Sequence, residues 1–372
     1  MDSEIEIEDA DSSSNSKVKL PSFVQLLDTV QRREHIDAEL EKRLGSVLEL
    51  LTAKESDDRP FLTVLLRTQG RRLEPLKDAL LCLAAQTDQD FEVVVLEHDA
   101  LPEDAAEVRK TISRQPPAFA ERIRLIEVSG GTRAKPLNAG LIASNGHYVS
   151  VFDDDDLVFA NWVEEFHQAS LLGDGRLLRS TVANQRVAPE LWPQDHDGFR
   201  TLSWPAAEYP SEFHQLKHLL VNYSPFMSWA FPRSLFFTFG VRFDEELTVC
   251  EDWDLILQGS LLCGVVEIKI LTAIYRRWEG GESSYTSHST ASWQWSENRV
   301  IDRIDDSVLT LPEGSMRELR DMLVYDEALT NYRFLFKGNQ LRLPLQLGWR
   351  AMSPFFPILV RIRNKIRRMR KR

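Results

Sequence analysis

Four consecutive aspartates, Asp153 to Asp156, directly follow the apolar run Val149-Ser-Val-Phe152. The apolar run predicts a short buried strand, because Val and Phe pack well on a pleated surface. The aspartates therefore fall at the carboxyl end of that strand, which is where open α/β sheets bind ligands. Four adjacent negative charges repel one another, and a divalent cation that also binds a diphosphate would hold them together. The alternative is a solvated acidic turn, which is the usual state of a run of charges.

A second pair of carboxylates, Glu251 and Asp252, stands at the start of a helix predicted over residues 252–263. Acidic side chains at a helix N-terminus are stabilised by the helix dipole, and this alone would explain them. The functional alternative is that Asp252 is a general base that faces the acidic run. Such a base has to lie within hydrogen-bonding distance of the proton that it removes. The residue pattern leaves both explanations open.

Phosphate binding needs other groups here, because the sequence contains neither a Gly-rich P-loop nor the Gly-x-Gly-x-x-Gly turn of dinucleotide-binding folds. The acidic run with a cation, helped by Arg133 and Lys135, would meet that need. His288 follows Tyr275-Arg-Arg-Trp278 in a polar, Ser/Thr-rich stretch, where a role in the core is not expected. It is either an exposed histidine or a ligand of a metal or a phosphate.

The composition is that of a globular protein of 372 residues with a net charge of −12. The charge is uneven, because residues 361–372 contain eight Lys or Arg and no acid. An acidic body with one basic end argues against nucleic acid as a partner. The three cysteines lack zinc-ligand spacing, and neither a signal peptide nor an apolar run of about 18 residues occurs. We therefore expect a cytoplasmic protein without a transmembrane helix.

Apolar runs and amphipathic helices alternate in the first half of the chain. Strands are predicted at residues 61–66, 91–96, 123–128 and 149–152, and helices at 76–85, 102–115 and 136–144. This alternation predicts an α/β fold, in which a Rossmann-like, mostly parallel central sheet is covered by helices on both faces.

The second half of the chain is less regular. Helices are predicted at residues 161–172, 252–263 and 315–340, and strands at 226–231 and 265–275. Residues 173–225 have weak periodicity, and we expect irregular loops there that form the walls of an acceptor site. Residues 280–292 are rich in Ser, Thr and Gly and are expected to be mobile.

These patterns divide the chain into five segments. They are a disordered acidic N-terminus at 1–20, a helical extension and linker at 21–58, the main α/β domain at 59–310, a C-terminal helical segment at 311–352 and a basic tail at 353–372.

The basic tail contains an apolar stripe that recurs every three or four residues: Phe355, Leu359, Ile362, Ile366 and Met369. A basic amphipathic helix of this kind is typical of segments that lie on an anionic membrane surface without crossing it. The alternatives are a helix that docks on the acidic body of the protein and a disordered basic end. We expect a cytoplasmic protein that is held peripherally at the inner face of a membrane by this tail.

Four blocks of the sequence carry a resemblance to a known family. They are Leu62-Thr-Val-Leu-Leu-Arg-Thr-Gln-Gly-Arg71, then Ala79 to Thr87 with Asp90 to Leu96, then Thr132 to Asp156, and finally Glu251-Asp-Trp-Asp-Leu255. In this order the blocks resemble the nucleotide turn, the second strand, the approach to the Asp-x-Asp motif and the catalytic Glu-Asp block of the family 2 glycosyltransferases. The resemblance covers roughly residues 61–290 and implies the GT-A fold, with helical N- and C-terminal extensions.

The resemblance also implies roles for individual residues. Asp252 matches the catalytic base, and Asp155 and Asp153 match the Asp-x-Asp pair that binds Mg²⁺ or Mn²⁺, with His288 as a looser match to a later metal ligand. The residues implied in binding the nucleotide-sugar donor are Arg67, Thr68, Glu97, Asp99, Arg133, Lys135, Asn138, Asp153 and Asp154. Members of the family usually read the nucleobase with an Asp at the end of the second strand. This chain has Glu97-His-Asp99 there, so either acid would take that role.

The implied reaction is inverting, metal-dependent transfer of a sugar from a UDP or dTDP sugar. The acceptor would be a hydroxyl group of a glycan or a lipid-linked glycan. Two alternatives stay open at this point: a nucleotidyl or phosphoryl transferase that uses the same acidic site, and a catalytically silent glycan-binding scaffold.

Overall fold

The computed structural model describes residues 21–52, 58–191, 197–280, 288–307, 309–311, 314–321 and 323. The chain divides into two compact units, Met1–Pro312 and Glu313–Arg372. In the second unit residues 315–321 are helical, as predicted, and the rest of the helix expected to end at residue 340 lies outside the described residues. The acidic N-terminus and the basic tail also lie outside them, so the five-segment division and the membrane role of the tail stay predictions.

The first unit alternates helices and strands. Its helices are α1 (Ser22–Gln31), α2 (Ala38–Thr52), α3 (Leu73–Ala84), α4 (Pro102–Ser113), α5 (Pro117–Ala120), α6 (Ala134–Ala143), α7 (Trp162–Ser170), α8 (Gln215–His218), α9 (Arg233–Phe237), α10 (Glu251–Cys263) and α11 (Thr290–Asp305). Its strands are β1 (Leu62–Thr68), β2 (Phe91–His98), β3 (Ile123–Val128), β4 (Tyr148–Asp153), β5 (Leu157–Val158), β6 (Leu177–Leu191), β7 (Asp197–Thr201), β8 (Trp229–Pro232) and β9 (Val265–Trp278).

The described strands form one sheet in the order β3-β2-β1-β4-β8-β6-β9-β5, with β7 paired to β6. The first four strands are parallel neighbours, as the alternation of the sequence predicts. Beyond β4 the sheet is mixed, because β8 runs antiparallel to both β4 and β6, whereas β6 and β9 are parallel. The α/β class is confirmed, and the half of the sheet that carries the acidic run is the part in which all neighbouring strands are parallel.

Helices cover both faces of the sheet, each over its own apolar layer. On one face α3, α4 and α7 pack on β1, β2 and β4 through buried side chains that include Leu76, Val108 and Trp162. On the other face α6 buries Leu137 against β1, β2 and β3, whereas α9 and α10 bury Leu235 and Ile256 nearer to β8 and β6. Strands β1, β2 and β4 are buried from both sides, which explains their nearly continuous apolar sequences, whereas the edge strand β3 is partly exposed.

The prediction of irregular loops across residues 173–225 was wrong for the 15-residue strand β6. Residues 177–180 and 182–184 of this strand are buried on both faces, so the strand shows no simple alternation of buried and exposed side chains. It also buries polar residues, including Arg179, which is 2% exposed and donates to the carbonyl oxygens of Pro210 and Ser211 at 2.6 and 3.3 Å. A buried arginine inside a strand interrupts the apolar pattern by which the strand would be recognised. The hydrogen bonds of Arg179 also hold the loop at Pro210 and Ser211 against β6.

Two further predictions needed correction. The strand expected at 226–231 is a 3-10 turn at Phe226–Ser228 followed by β8. The mobile segment expected at 280–292 overlaps α11, which begins at Thr290 after Ser289 has capped it by accepting a hydrogen bond from the Ser292 amide at 3.1 Å. Residues 281–287 lie outside the described part of the chain. None of the described helices has the length and apolar character needed to span a membrane.

The turn that leads into β4 depends on Gly146. A Cβ atom at this residue would lie 2.5 Å from the Thr63 amide nitrogen and 2.7 Å from the Tyr148 carbonyl oxygen. Both neighbours are backbone atoms of paired strands, so neither can move without breaking the register of β1 and β4. The close approach therefore helps to fix the register of β4 against β1, and with it the position of the acidic run at the end of β4.

We predict that Gly146→Ala lowers the free energy of unfolding by about 1–3 kcal/mol, because an added methyl group overpacks a rigid site. Urea unfolding followed by circular dichroism would measure this change. Gly45→Ala in α2 is the matched control, since its Cβ would meet only the flexible end of Gln31 at 3.2 Å. That variant gains about 0.5–1 kcal/mol from helix propensity. Equal stability of the two variants would contradict the packing argument.

Candidate active site

The polar side chains of the site stand at the carboxyl ends of three adjacent parallel strands. The register aligns Arg67 of β1 with Asp153 of β4, and Thr68 of β1 with Glu97 of β2. Because parallel strands end at the same edge of a sheet, chemistry-bearing residues that are distant in sequence meet there. The sequence predicted this edge from the position of the acidic run.

The guanidinium of Arg67 joins the acidic run to the start of α10. Its Nε and Nη2 atoms donate to Asp153 Oδ1 at 3.1 and 2.8 Å, and Nη1 donates to Glu251 Oε1 at 3.3 Å. The same Nη1 also reaches the Arg133 carbonyl oxygen at 3.2 Å. Arg67 is 9% exposed and Glu251 is 5% exposed, so these ion pairs lie in the interior. They place the segment that carries Asp252 beside the acidic run.

The four aspartates have different partners. Asp154 accepts from Thr68 Oγ1 at 2.5 Å and from Arg72 Nη2 at 3.1 Å, and Arg72 also donates to Asp155 through Nη1. Asp156 accepts from the backbone amide of Arg276 at 2.8 Å. Each of the four carboxylates thus accepts at least one hydrogen bond, and Arg72 donates to both Asp154 and Asp155. These donors offset the mutual repulsion of the four negative charges.

These environments separate the pKa values of the aspartates. Burial alone would raise the pKa of Asp153, but the charges of Arg67 and Arg133 hold it below its ordinary value. Burial raises the pKa of Asp154 to about 7, against the opposing charge of Arg72 and with the help of Asp155. Burial and the neighbouring Asp155 also raise the pKa of Asp156 well above its ordinary value.

The acidic run offers carboxylate oxygens, which are the ligands that Mg²⁺ and Mn²⁺ take. Among the described residues, no three His, Cys, Asp or Glu side chains converge on one point as a complete protein cage would. Mg²⁺ commonly binds through one or two carboxylates together with substrate phosphates and water. Asp153 and Asp155, whose side chains are 26% and 17% exposed, are the accessible members of the run that suit such a site.

The predicted base, Asp252, lies in the first turn of α10. Its Oδ2 atom accepts from Asn222 Nδ2 at 2.9 Å, and its Oδ1 atom accepts from the Trp253 amide at 2.7 Å. Burial and the adjacent charge of Glu251 together raise the pKa of Asp252 to about 6, although the two hydrogen bonds act in the opposite direction. A carboxylate with this pKa is a better proton acceptor near neutral pH than an ordinary aspartate.

The turn before α10 has an unusual backbone. Cys250 adopts a left-handed conformation with φ of 67°, and the helix begins at the next residue. A residue other than glycine in this conformation stores strain of about 1–3 kcal/mol. The conformation turns the chain sharply, so Glu251 and Asp252 point to different partners, one toward Arg67 and the other toward Asn222.

At the end of β2 the two candidate nucleobase ligands differ in environment. Glu97 is 5% exposed and accepts from Arg109 at 3.2 Å through Oε1, while its buried Oε2 atom has no hydrogen-bond partner among the described residues. Burial raises the pKa of Glu97. Asp99 is exposed, and its Oδ1 atom accepts from the Gly130 amide at 2.7 Å. Which of the two acids reads the base stays a prediction.

The remaining predicted ligands are spread over the rim of the site. Arg133 pairs with Glu251 at 3.2 Å and lies 4.0 Å from Asp153, whereas Lys135 donates to the Ser129 carbonyl oxygen at 2.6 Å.

Asn138 binds the loop that leads to the base rather than the acidic run. Its amide nitrogen donates to the Phe243 carbonyl and to Glu245 at 3.0 and 2.9 Å, and its oxygen accepts from the Phe243 amide. His288 is half-buried just before the cap of α11, and no contact within the described residues joins it to the aspartates. Ligand binding by all these residues stays a prediction.

Three residues of the site escaped the sequence analysis. Glu251 was noted only as a helix-start acid, although it is the buried partner of Arg67 and Arg133. Arg72 and Asn222 carry no motif, because their roles come from contacts across 82 and 30 residues of chain. The Gln-Gly turn before Arg72 was the available signal, since a turn at a strand end is a common place for ligand-binding groups.

A mixed α/β sheet with an acidic run at its parallel edge and a helix-start carboxylate opposite is the arrangement of a GT-A glycosyltransferase. Residues 67–234 match the model of the family described as Glycosyl transferase family 2. Over this range the chain is therefore similar to the glycosyltransferases of family 2.

Solved structures agree with this fold. Residues 1–349 of TarS from S. aureus in complex with UDP-GlcNAc align with a TM-score of 0.52 and 16% identity, covering 77% of this chain and 77% of that one. The same fragment in complex with UDP aligns with a TM-score of 0.50 and 15% identity, covering 79% and 78%. None of the curated proteins that were compared matches the sequence.

We predict that Arg67→Met destabilises the fold by about 3–5 kcal/mol, because it leaves the buried Glu251 and the half-buried Asp153 with Arg133 as their one remaining partner cation among the described residues. Urea unfolding would measure the loss. The double variant Arg67→Met/Glu251→Gln recovers part of it, since one of the stranded charges is removed. Arg124→Met is the matched control: the Arg124–Glu92 pair, at 2.8 Å, has a 43% exposed arginine and is worth about 1 kcal/mol or less. A loss at Arg67 no larger than that at Arg124 would contradict the buried bridge.

Proposed function

We propose that this glycosyltransferase is inverting and metal-dependent, and that it moves a sugar from a UDP or dTDP sugar to a hydroxyl of a glycan or a lipid-linked glycan. The observation that carries the proposal is the buried Arg67 bridge between Asp153 and Glu251. This bridge holds a carboxylate of raised pKa beside an acidic run, so that a proton acceptor and a diphosphate site face one space.

The donor half of the site lies along the ends of β1, β2 and β4. The nucleotide would lie against Arg67, Thr68 and Glu97, and its diphosphate would lie near Arg133 and Lys135. Mg²⁺ or Mn²⁺ on Asp155, with Asp153 and with His288 as a further candidate ligand, would offset the negative charge that develops on the leaving diphosphate. A UDP-type donor is supported by the UDP-GlcNAc and UDP complexes of the similar TarS structures.

Asp252 acts on the acceptor. The acceptor hydroxyl oxygen attacks the anomeric carbon from the side opposite the diphosphate, the bond to the diphosphate breaks, and the hydroxyl proton moves to Asp252. Asn222 and the Trp253 amide orient the carboxylate by donating to one oxygen each, at 2.9 and 2.7 Å, and each oxygen keeps a second lone pair to receive the proton. Positioning of this kind is a large part of the rate enhancement that enzymes achieve.

The acceptor side has an apolar border. Leu220 and Val221 are 70% and 56% exposed, and they directly precede Asn222, whose side chain binds the base. Exposed apolar groups next to a catalytic carboxylate favour an acceptor with an apolar portion. This arrangement supports a lipid-linked glycan, and a membrane-bound acceptor would also give a peripheral position at the membrane a purpose.

A panel of nucleotide sugars tested for thermal stabilisation, with and without Mn²⁺, would examine the donor. We predict that UDP or dTDP sugars raise the melting temperature, that Mn²⁺ increases the effect, and that Asp155→Asn abolishes the increase, because an amide keeps the shape but loses the charge. Asp174→Asn, an exposed aspartate on a turn, is the matched control. A GDP or CMP sugar as the sole stabilising donor, or no change in Asp155→Asn, would refute the proposed site.

Product analysis separates this reaction from the alternative of nucleotidyl or phosphoryl transfer. Glycosyl transfer releases a nucleoside diphosphate, whereas the alternative releases pyrophosphate or phosphate.

The pKa of Asp252 gives a pH prediction. The base is active only when ionised, so kcat falls as the pH drops through about 6 and decreases by about tenfold for each further unit. Asp252→Asn lowers kcat by roughly 10²-fold or more and removes this acidic limb, while donor affinity is retained. Rate measurements from pH 5 to about 8 at saturating donor would test both statements.

Asn222→Ala refines this test. Loss of a hydrogen bond to the ionised carboxylate raises the pKa of Asp252, so the acidic limb moves to higher pH. Asn145→Ala is the matched control, because Asn145 donates to Glu92 at 3.1 Å at the opposite end of the sheet. An acidic limb that stays in place in Asn222→Ala, or that persists in Asp252→Asn, would assign the proton to another group.

A further inference from the structure

Helix α11 lies outside the family match, which ends at residue 234, yet it contacts the segment that carries the catalytic Glu-Asp block. Two of its arginines provide ion pairs to that segment. Arg299 donates to Asp244 through Nε at 2.6 Å and Nη2 at 3.2 Å. Arg303 donates to Asp254 at 2.7 Å through Nη1 and also to Asp244 through Nη2.

The acids of this network are more deeply buried than the arginines. The side chains of Asp244 and Asp254 are 7% and 1% exposed, whereas those of Arg299 and Arg303 are 33% and 32% exposed. A buried carboxylate that loses its cation is left as an uncompensated charge. The two acids therefore depend on α11, while α11 keeps part of its contact with water.

An apolar contact and a hydrogen bond complete the interface. Val300 of α11 joins a buried cluster with Leu247, Val249, Trp253 and Leu257, and Trp293 and Ile304 pack against that cluster. Thr248 Oγ1 and Ser292 Oγ lie 2.8 Å apart. The contacts of α11 thus run from residue 244 to residue 257, on both sides of the strained turn at Cys250.

Asp252 lies between the two acids that α11 holds. Asp254 is two residues further along the same first turn of α10, so a displacement of Asp254 moves Asp252. On the opposite side of this segment, Thr132 and Asn138 hold only its beginning, at Glu245 and Phe243. Past the turn at Cys250, α11 holds α10 through the Arg303–Asp254 pair and through the packing of Val300 on Trp253 and Leu257. From the other side Arg67 binds Glu251 and Asn222 binds Asp252.

We infer that Arg303, supported by Arg299, is a positioning residue that holds the first turn of α10 so that Asp252 meets the acceptor hydroxyl. The inference rests on the proposed role of Asp252 as the base. The effect is expected because the rate depends on the distance between Asp252 and the acceptor hydroxyl. A misplacement of about 1 Å in a catalytic group can lower a rate by about 10²-fold. Neither arginine touches substrate, so their effect passes through Asp254 and Asp244.

The test compares Arg303→Met with wild type in the full-length protein, using UDP or dTDP sugar as the donor. We expect kcat to fall by about 10- to 100-fold, while the donor dissociation constant changes by less than about threefold, because the donor residues lie on β1, β2 and β4. Asp302→Asn, an exposed neighbour on α11, is the matched control and keeps the wild-type kcat. Rates are expressed per donor-binding site, so that a partly unfolded sample does not count as a slow enzyme.

A pH profile distinguishes positioning from loss of structure. The groups that face Asp252 are Glu251, Arg133 and Asn222. Movement of Asp252 away from Asn222 removes a bond that lowers its pKa, so the acidic limb of kcat in Arg303→Met moves to higher pH. Arg303→Lys recovers part of the rate, because a lysine can reach one of the two acids but cannot bridge both. Neutralising the stranded acid in Arg303→Met/Asp254→Asn also recovers part of it.

Three results would overturn the inference. They are a kcat and pH profile in Arg303→Met equal to those of Asp302→Asn, an equal loss of donor affinity and kcat, and no recovery in either rescue variant. Asp252→Asn measured in parallel separates this inference from the proposed function. An active Asp252→Asn would refute the base itself, whereas an inactive Asp252→Asn beside a normal Arg303→Met would refute only the positioning role.

Discussion

The structure depends on one buried guanidinium. Arg67 leaves the end of β1 and binds Asp153 of β4, Glu251 of α10 and the carbonyl of Arg133 at once. A buried charge is tolerated only where its partners are fixed in place. Arg67 thus obliges two segments that are almost a hundred residues apart to meet at one edge of the sheet. The acidic run and the start of α10 are adjacent because Asp153 and Glu251 bind this same cation.

The neighbouring charges and the degree of burial then give chemically identical carboxylates different pKa values. Asp153, between Arg67 and Arg133, has a depressed pKa, while burial raises the pKa of Asp154 to about 7 and that of Asp252 to about 6. Environments that separate pKa values in this way assign different tasks to identical side chains. The ionised member suits electrostatic work beside a diphosphate, and the member with the raised pKa suits proton transfer. The register of β1, β2 and β4 also contributes, because it places Arg67 beside Asp153 and Thr68 beside Glu97 at the end of the strands.

The sequence predicted the parallel half of the fold because β1, β2 and β4 are buried on both faces and form short apolar runs in the sequence. It also placed the acidic run and Asp252, since each follows or opens a recognisable element. The long strand β6 was missed because Arg179 and other polar residues interrupt its pattern. Arg72, Asn222 and the arginines of α11 were missed for another reason: their roles arise from contacts between distant segments, which single-sequence periodicity does not encode. Metal binding, the donor and the acceptor rest on inference from the site.

The left-handed turn at Cys250 has a consequence for how this region varies between relatives. With φ of 67°, the position disfavours every β-branched residue, and glycine, asparagine or aspartate would adopt it with least strain. Burial raises the pKa of the Cys250 thiol, so the residue is a weak nucleophile and its presence reflects packing rather than reactivity. Exchange of Cys250 for glycine is therefore compatible with the backbone that places Glu251 and Asp252. An alignment of homologues would show small, flexible residues directly before the Glu-Asp pair, and bulky aliphatic ones would be rare.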